Sequence, residues 1–492
     1  MDDLRLMLPE IILFCWSMLM LIVGIRRKQT AAANGFGLIY LTMLGLVVTA
    51  FAIPVTGYGV AFGGTFFVDR FGAFFKMIFL CAAFFAAASS GQLMKRLTAD
   101  HGEFFSLVLL STVGMMVLVS TNELITLYVA LELTTIPLFV LAAYRKDRLT
   151  SSEAGLKYLI LGAVSSAILL YGISLIYGLT GSTFLSISLN RLLEQSIGML
   201  QATNDLNLAL LIAMVMMIAG FGFKLALVPF HMWAPDVYEG APTAITSFLS
   251  VASKGAGVAA FARVFYSALP TFNEFYWGMM VAVLAAAAMI VGNITAVLQP
   301  NVKRMLAYSS IAHAGYLLVG FVALPLTQND PPYGPASIMF YMLAYLFANM
   351  GAFACAIAFE KNYGSYEIKD YEGLAKDAPA LSLLFMIFLL SLAGIPPLVG
   401  FFAKYYVFLA AWKQYPWLVM IGVLTSVIAL YYYARILKQM YFAKREVAFA
   451  KAQFDGPLTI TLALTTVGTI LFGLYPEPVI RFASQAFEAF PF

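Results

Sequence analysis

The sequence predicts an all-α polytopic membrane protein of about 14 transmembrane helices, and three observations carry that prediction. The 492-residue chain is 62% hydrophobic and only 11% charged, against roughly a quarter charged in soluble domains. Its apolar residues come in runs of about 18–25 separated by short polar breaks, long enough to cross a hydrocarbon core about 30 Å thick. The alternating ten-residue segments of a membrane β-barrel are absent, so the helix is left as the structure that pairs every backbone N–H and C=O in lipid. The formal charge of +4 is scattered over loops and gives no footprint for nucleic acid.

In chain order the runs fall near residues 8–25, 35–55, 68–89, 104–120, 122–143, 153–178 and 206–228, then 243–266, 274–298, 304–324, 336–360, 380–410, 416–437 and 456–475. The first, Leu8–Ile25, has no small-residue cleavage site behind it and is expected to be a span, not a removable signal. Basic residues follow the odd-numbered runs: Arg26, Arg27 and Lys28 after the first, Lys95 and Arg96 after the third, Arg145, Lys146 and Arg148 after the fifth. Lys303 and Arg304 follow the ninth, Lys361, Lys369 and Lys376 the eleventh, and Arg435, Lys438, Lys444, Arg445 and Lys451 the thirteenth. All of them share one side of the membrane. The positive-inside rule makes that side cytoplasmic and places both termini outside.

Four ionisable residues sit deep inside apolar runs: Glu132 in YVALELTTIPLFVL, Lys224 in AGFGFKLALVPF, Lys254 in FLSVASKGAGVAAF and Lys404 in VGFFAKYYVFLAA. A charge at bilayer depth costs roughly 2.5–3.5 kcal/mol on insertion scales and marks a substrate or proton pathway. An unpaired lysine there favours its neutral amine, and a nearby carboxylate favours the ammonium, so a lysine alternating between the two environments loads and releases a proton. Glu132 and Lys224 are the expected switching pair, with Lys254 and His313 as relays towards Lys404. A static buried ion pair is the competing reading. Lys76, nearer the end of its run, is expected only to snorkel.

Other chemistry finds no footing. Cys15, Cys81 and Cys355 lie far apart in apolar runs and read as small core residues, without a CxxC. His101, His231 and His313 have no second ligand at helical spacing, and neither GxGxxG nor a P-loop occurs.

The string Gly-Phe-x-x-Lys appears at Gly220–Lys224 and again at Gly400–Lys404, 180 residues or five spans apart. An odd offset puts the copies in opposite orientation, as in inverted-topology repeats, and carries Glu132 to the neighbourhood of His313. Both lysine runs hold helix breakers: Pro229 after Lys224, and Gly394, Pro396 and Pro397 before Lys404. Proline removes an intrahelical hydrogen bond, and broken backbone at membrane depth belongs where it is buried or lines a wet cavity. A plain packing kink is the alternative.

Among the loops, His231 and Asp236–Glu239 follow the seventh span and either guide protons or form a solvated structural loop. Glu153 and Lys157 make an i,i+4 pair. Asp69 and Glu123 are expected to be exposed charges at span ends, and the tail Pro476–Phe492 to lie along the outer interface.

PFHMWAPDVYEGAPT after Lys224, SFLSVASKGAGVAAFARVF around Lys254, NVKRMLAYSSIAHAGYLLVG and SLAGIPPLVGFFAKYYVF together resemble the antiporter-like membrane subunits of NADH–quinone oxidoreductase, respiratory complex I. The likeness runs over nearly the whole chain and is nearest to the N-type. Lys404 stands where the M-type leads one to expect glutamate, and the L-type's long lateral helix has no counterpart after the last span. The chloroplast and cyanobacterial counterpart is similar in the same motifs.

The resemblance implies 14 helices with inverted five-helix repeats at spans 4–8 and 9–13, hence helices 1–3 over residues 1–103, repeats over 104–266 and 274–437, and a last helix and tail over 438–492. It implies proton transfer through Glu132, Lys224, Lys254 and Lys404, with Lys303 and His313 on the same polar axis, driven by quinone reduction elsewhere in the complex. It further implies no cofactor in this chain, with FMN, iron–sulfur clusters and quinone in other subunits. The implied partners are the neighbouring antiporter-like subunit, the small membrane subunits and the bilayer, in a bacterial inner membrane with periplasmic termini. A subunit of a multi-subunit cation/proton antiporter, and a membrane scaffold with structural buried charges, are the alternatives.

Overall fold

The computed structural model describes residues 2–28, 36–97, 101–185, 205–268, 277–323, 333–445 and 453–488. Thirteen helices among the described residues are long and apolar enough to cross a membrane, and the predicted twelfth span is divided into two shorter apolar helices. The first six are α1 (Leu8–Lys28), α2 (Phe36–Thr56), α3 (Arg70–Ser89), α4 (His101–Ser120), α5 (Leu124–Ala142) and α6 (Leu149–Thr180). The seventh span is α7 (Asp205–Leu225), followed by the short α8 (Trp233–Gly240). The eighth is α9 (Thr243–Tyr266). Then come α10 (Gly278–Val297), α11 (Val302–Val322), α12 (Tyr333–Tyr363), the broken pair α13 (Pro379–Ala393) and α14 (Val399–Ala411), α15 (Pro416–Phe442), α16 (Gly456–Leu474) and α17 (Glu477–Glu488).

Burial separates centre from periphery. The most apolar stretches of α9, α11 and α12 are 100%, 94% and 89% buried, while those of α1, α6 and α15 are 33%, 39% and 39%. Peripheral helices present rows of exposed aliphatic residues, such as Ile125, Val129, Leu133, Ile136 and Val140 on α5. Such rows suit lipid or a neighbouring subunit, since lipid tails are as apolar as leucine.

Small residues set the closest helix approaches. On α10, a Cβ added at Gly292 would lie 2.6 Å from the backbone nitrogen of Ala312 on α11. Gly315 on α11 returns the contact, 2.7 Å from the carbonyl oxygen of Ala285. That seam holds two helices at backbone contact, as small residues do in membranes.

The two breaks have different local causes. After α7, Ala226 adopts φ 55° and Leu227 N–H bonds back to the Gly222 carbonyl at 2.8 Å. The Trp233 indole then donates to the Phe223 carbonyl at 2.9 Å and stacks on Tyr158 at 4.5 Å, which ties α8 to the stump of α7. In the twelfth span α13 ends at Gly394, φ 91°, whose left-handed conformation closes the helix before Pro396 and Pro397. Lys224 precedes its break and Lys404 follows its own. The 180-residue offset therefore aligns the lysines without aligning the breaks.

A short antiparallel hairpin, β1 (Gly59–Ala61) and β2 (Phe66–Val68), joins α2 to α3. It lies at the end of the bundle where α1, α3 and α5 begin, here the hairpin face. The opposite end, where α3 and α5 finish and α6, α9 and α11 begin, is the basic face. α17 packs across the hairpin face, with Phe482 stacked on Phe74 and Phe487 against Tyr266. Its exposed and buried residues alternate at helical spacing, as a helix lying along an interface requires.

Several sequence expectations change. Asp69 and Glu123 are N-caps: Asp69 accepts from Gly72 N–H at 2.7 Å, and Glu123 accepts from the N–H groups of Ile125 and Thr126. Glu123 is only 6% exposed. Burial works against its ionised form, yet hydrogen bonds from Thr183, Thr126 and Ile125 hold its carboxyl below the usual carboxylate range. Lys76 does not snorkel; it is buried and paired with Glu10 at 2.7 Å. Cys15 is exposed on α1, whereas Cys355 is in the core. The Glu153–Lys157 pair forms at 2.7 Å, and Lys157 also reaches Asp236 at 2.6 Å.

Candidate functional site

The ionisable residues singled out in the sequence fall along a row that crosses the middle of the bundle from α5 to α14. At one end Glu132 on α5 is half-buried and accepts a hydrogen bond from Ser166 of α6 at 2.5 Å. One turn along the same helix, Thr135 accepts from the Lys224 ammonium of α7. Glu132 and Thr135, three residues apart, share one face of α5, so the carboxylate lies on the same face as the hydroxyl that holds Lys224. Lys224 in turn touches α9 near Gly257, where an added Cβ would be 3.4 Å from the lysine Cβ.

Lys254 lies three residues before Gly257, immediately after a turn of π-helix over Leu249–Ser253. A π-turn widens the helix locally and is frequent at functional sites. From there the ammonium donates to the Ser310 carbonyl of α11 and to the Ser310 hydroxyl, the latter at 2.6 Å. The Tyr345 ring lies 5.6 Å from the Lys254 nitrogen and 5.0 Å from the His313 ring.

His313, fully inside α11, sits between two tyrosines: Nδ1 is 2.6 Å from the Tyr341 hydroxyl and Nε2 is 3.4 Å from that of Tyr433. Ser309 meets the Tyr433 hydroxyl at 2.5 Å. Tyr316, one turn beyond His313, hydrogen-bonds Asn293 at 3.0 Å and Thr425 at 3.2 Å. Its ring is 4.7 Å from the Lys404 nitrogen. Lys404 itself donates to the Ala393 carbonyl at 2.9 Å, the last residue of α13. The break frees that carbonyl, and a cation at a helix C-terminus is favourably placed.

Among the described residues, none of Lys224, Lys254 and Lys404 forms an ion pair with a carboxylate. Neutral oxygens hold each one: a threonine hydroxyl, a serine hydroxyl and carbonyl, and a helix-end carbonyl. A lysine held in this way has its ammonium solvated by dipoles and not by a directly bonded carboxylate.

Lys303 belongs elsewhere. It starts α11, ten residues or about 15 Å from His313 along the axis. Its ammonium donates to the Glu239 and Ala241 carbonyls, both at 2.7 Å, under the Tyr366 ring. It forms the floor of a polar cavity of about 440 Å³ on the basic face, walled by Arg96, Arg148, Asp236, Arg304 and Glu360. Asp236 is the hub there, bonded by Lys157 at 2.6 Å and Arg304 at 2.9 Å. Partial burial opposes its charge, but hydrogen bonds from those two cations and their attraction hold the carboxyl below the usual range. His231, in the break after α7, is half-buried, and burial lowers its basicity below that of a free histidine.

Sequence reasoning missed the hydroxyl and aromatic partners: Thr135, Ser166, Ser310, Tyr341, Tyr345, Tyr433 and Tyr316. Serine, threonine and tyrosine are too common in apolar runs to stand out. The one available signal was i,i+3 spacing to a charge, which Glu132–Thr135 and Ser310–His313 both satisfy. No group of His, Cys, Asp and Glu residues with metal-holding geometry occurs among the described residues.

The chain matches the family model "NADH:quinone oxidoreductase/Mrp antiporter, TM" over residues 121–429. NADH-quinone oxidoreductase subunit N of Moorella thermoacetica is 41% identical over 494 residues, which span 100% of this chain and 99% of that relative. The subunit N of Trichlorobacter lovleyi is 42% identical, over 98% of this chain and 97% of the relative. A chain in the structure of respiratory complex I from Thermus thermophilus with bound aureothin superposes with a TM-score of 0.78 at 31% identity, covering 97% and 99% of the two chains. A chain of the Mrp complex from Dietzia sp. reaches 0.81 at 20% identity, over 99% and 96%, a likeness of fold alone.

Proposed function

The chain belongs to the family of NADH–quinone oxidoreductase subunit N, and from that premise we propose that its buried row carries protons across the membrane. It is a proton-translocating membrane subunit of an NADH–quinone oxidoreductase, coupled to quinone reduction elsewhere in the complex. Glu132, Lys224, Lys254 and Lys404 are the carriers and His313 is a relay. Lys303 acts at the mouth of the path, not within the row. The observation that carries the reading is that, among the described residues, the three buried lysines donate to neutral oxygens and to no carboxylate.

In this account Lys254 passes its proton through Ser310 and the tyrosine cage around His313 towards Lys404. The His313 imidazole, hydrogen-bonded at both nitrogens, suits a relay that accepts on one side and donates on the other. The cavity over Lys303 opens the basic face to water. That face is cytoplasmic and the hairpin face periplasmic, in keeping with the basic residues on the former. The chain divides into residues 1–103, the inverted repeats 104–266 and 274–437, and 438–492. FMN, iron–sulfur clusters and quinone are bound by other subunits. The exposed aliphatic rows of the peripheral helices receive lipid, the neighbouring antiporter-like subunit and the small membrane subunits of a bacterial inner-membrane complex.

The multi-subunit antiporter reading shares the fold but lacks the full-length identity. Lys254→Arg tests the proton role directly, because arginine keeps the charge and does not release its proton. In inverted vesicles with the complex assembled on a native gel, the account expects loss of the NADH-driven proton gradient. A normal gradient would assign Lys254 a static role.

A further inference from the structure

One buried ion pair stands apart from the row. Glu10 of α1 and Lys76 of α3 are 1% and 2% exposed and meet at 2.7 Å. Glu10 lies in the first turn of α1, and Lys76 lies six residues into α3, about 9 Å along its axis. The pair therefore sits just beneath the hairpin face.

Its setting is unlike that of a structural ion pair. Among the described residues, no hydrogen-bond donor other than Lys76 reaches either Glu10 oxygen. Besides that carboxylate, the Lys76 ammonium faces the Phe66 ring of β2, 5.2 Å away. A stabilising buried pair needs its remaining lone pairs and protons satisfied, and apolar residues in its place are often neutral or better for stability. Ionisable residues buried at membrane depth mark ion pathways and proton relays. The nearby Asp69–Arg263 pair makes the contrast. It closes at 2.7 Å, Asp69 Oδ1 accepts from Gly72 N–H and from Arg263 Nη2, both at 2.7 Å, and Arg263 also donates to the Val119 carbonyl. Neither Glu10 oxygen has such an acceptor role beyond Lys76 among the described residues.

We propose that Glu10 and Lys76 form a second proton-carrying pair, seated in the first three helices away from the central row, that takes up protons from the bundle interior and releases them at the hairpin face. Transfer of one proton from Lys76 Nζ to Glu10 Oε1 breaks an N–H bond and forms an O–H bond, leaving neutral amine beside neutral acid. Uptake of a proton by the amine restores the ammonium, and release of the acid proton restores the ion pair. One proton enters and one leaves per cycle. Asp69, seven residues before Lys76 and on the same face of α3, lies on the way to the hairpin face at 12% side-chain exposure. The β-hairpin covers the pair: Phe66 bridges to Thr121, Asn122 N–H bonds the Thr65 carbonyl at 3.0 Å, and Leu6 and Met7 pack beneath β1 and β2.

The proposal rests on the reading of the chain as a proton carrier, so its test runs beside Lys224→Met. Inverted vesicles carry the whole complex with Glu10→Leu and Lys76→Met combined, and the proton gradient is measured per NADH oxidised. The expected result is an assembled complex with a lower gradient per NADH than the parent. A parental ratio in the double variant would overturn the proposal and leave a static pair. Should the double variant fail to assemble, Lys76→Arg decides, since it keeps the ion pair and cannot release its proton. A lower ratio supports the proposal, and a parental ratio overturns it. If Lys224→Met loses the gradient while these variants keep it, only this proposal fails; if all keep it, the central reading fails as well.

Discussion

The Lys224 ammonium donates a hydrogen bond to the Thr135 hydroxyl alone among the described residues, which makes that hydroxyl the smallest handle on the row. Thr135→Val keeps the volume and removes the acceptor. An unsatisfied buried polar group costs roughly 1–3 kcal/mol, more when charged. The variant is expected to assemble and to pump protons more slowly per NADH oxidised, measured as the initial rate of vesicle acidification. An unchanged rate would remove Thr135 from the path. At this scale the sequence was half legible. Charges inside apolar runs announce themselves, because lipid makes them expensive. Their hydroxyl and tyrosine partners do not, because those groups are cheap to place in a helix and become meaningful only when packing brings them to a lysine. Lys76 departs from its expectation for a related reason. Its distance from the run's end suggested snorkelling, and its partner Glu10 is 66 residues away in the chain.

Helix breaks turn single residues into site geometry. Gly394 ends α13 in the left-handed region, and a Cβ there would lie 3.0 Å from Cδ of Lys404. Gly394→Ala is therefore expected to cost about 1–2 kcal/mol for the left-handed conformation and to displace the lysine stem as well. Asparagine tolerates that conformation better, so Gly394→Asn separates the two effects. Differential scanning fluorimetry reads the first and vesicle acidification the second. Equal stability of Gly394→Ala and the parent would contradict the assigned role of the turn. The breaks themselves were legible from Pro229, Pro396 and Pro397. The π-turn before Lys254 was not, because LSVAS carries no breaker; within it the Ser250 hydroxyl accepts from Asn349 at 2.6 Å. The β-hairpin was also missed, since three-residue strands leave no period to read. The predicted span ends agree closely with the helices, because the apolar runs have to match the bilayer.

Across the whole molecule, the two ends of the bundle differ in electrostatics. The basic face gathers α6, α8 and α11 through Asp236, Lys157 and Arg304. Asp236 has a folded carboxyl below its ordinary value of about 4, so its contribution to stability is complete above that pH. As pH falls through the lowered folded value, the carboxylate is protonated and the contribution is lost. Thermal unfolding of the purified complex should show no Asp236-dependent change between about pH 5 and 8, and Asp236→Asn should lower stability by at most about 1 kcal/mol across that window. A difference between parent and variant that vanishes near pH 6 would contradict the assigned direction. The hairpin face instead holds buried pairs, Asp69–Arg263 and Glu10–Lys76, beneath a hairpin and an amphipathic helix. Between the faces runs a row of buried lysines that, among the described residues, form no ion pair with a carboxylate.

Lys224→Met tests that row most directly. Methionine fills the same space without a titratable nitrogen, in a site that Thr135 and α9 already shape. Inverted vesicles from cells carrying the variant are assayed for NADH oxidation and for the proton gradient it builds, with assembly verified on a native gel. The account predicts an assembled complex whose gradient is lost or sharply reduced, with electron transfer slowed to the extent that it is tightly coupled. An assembled complex with parental NADH oxidation and a parental gradient would contradict it and leave the buried lysines as parts of a scaffold.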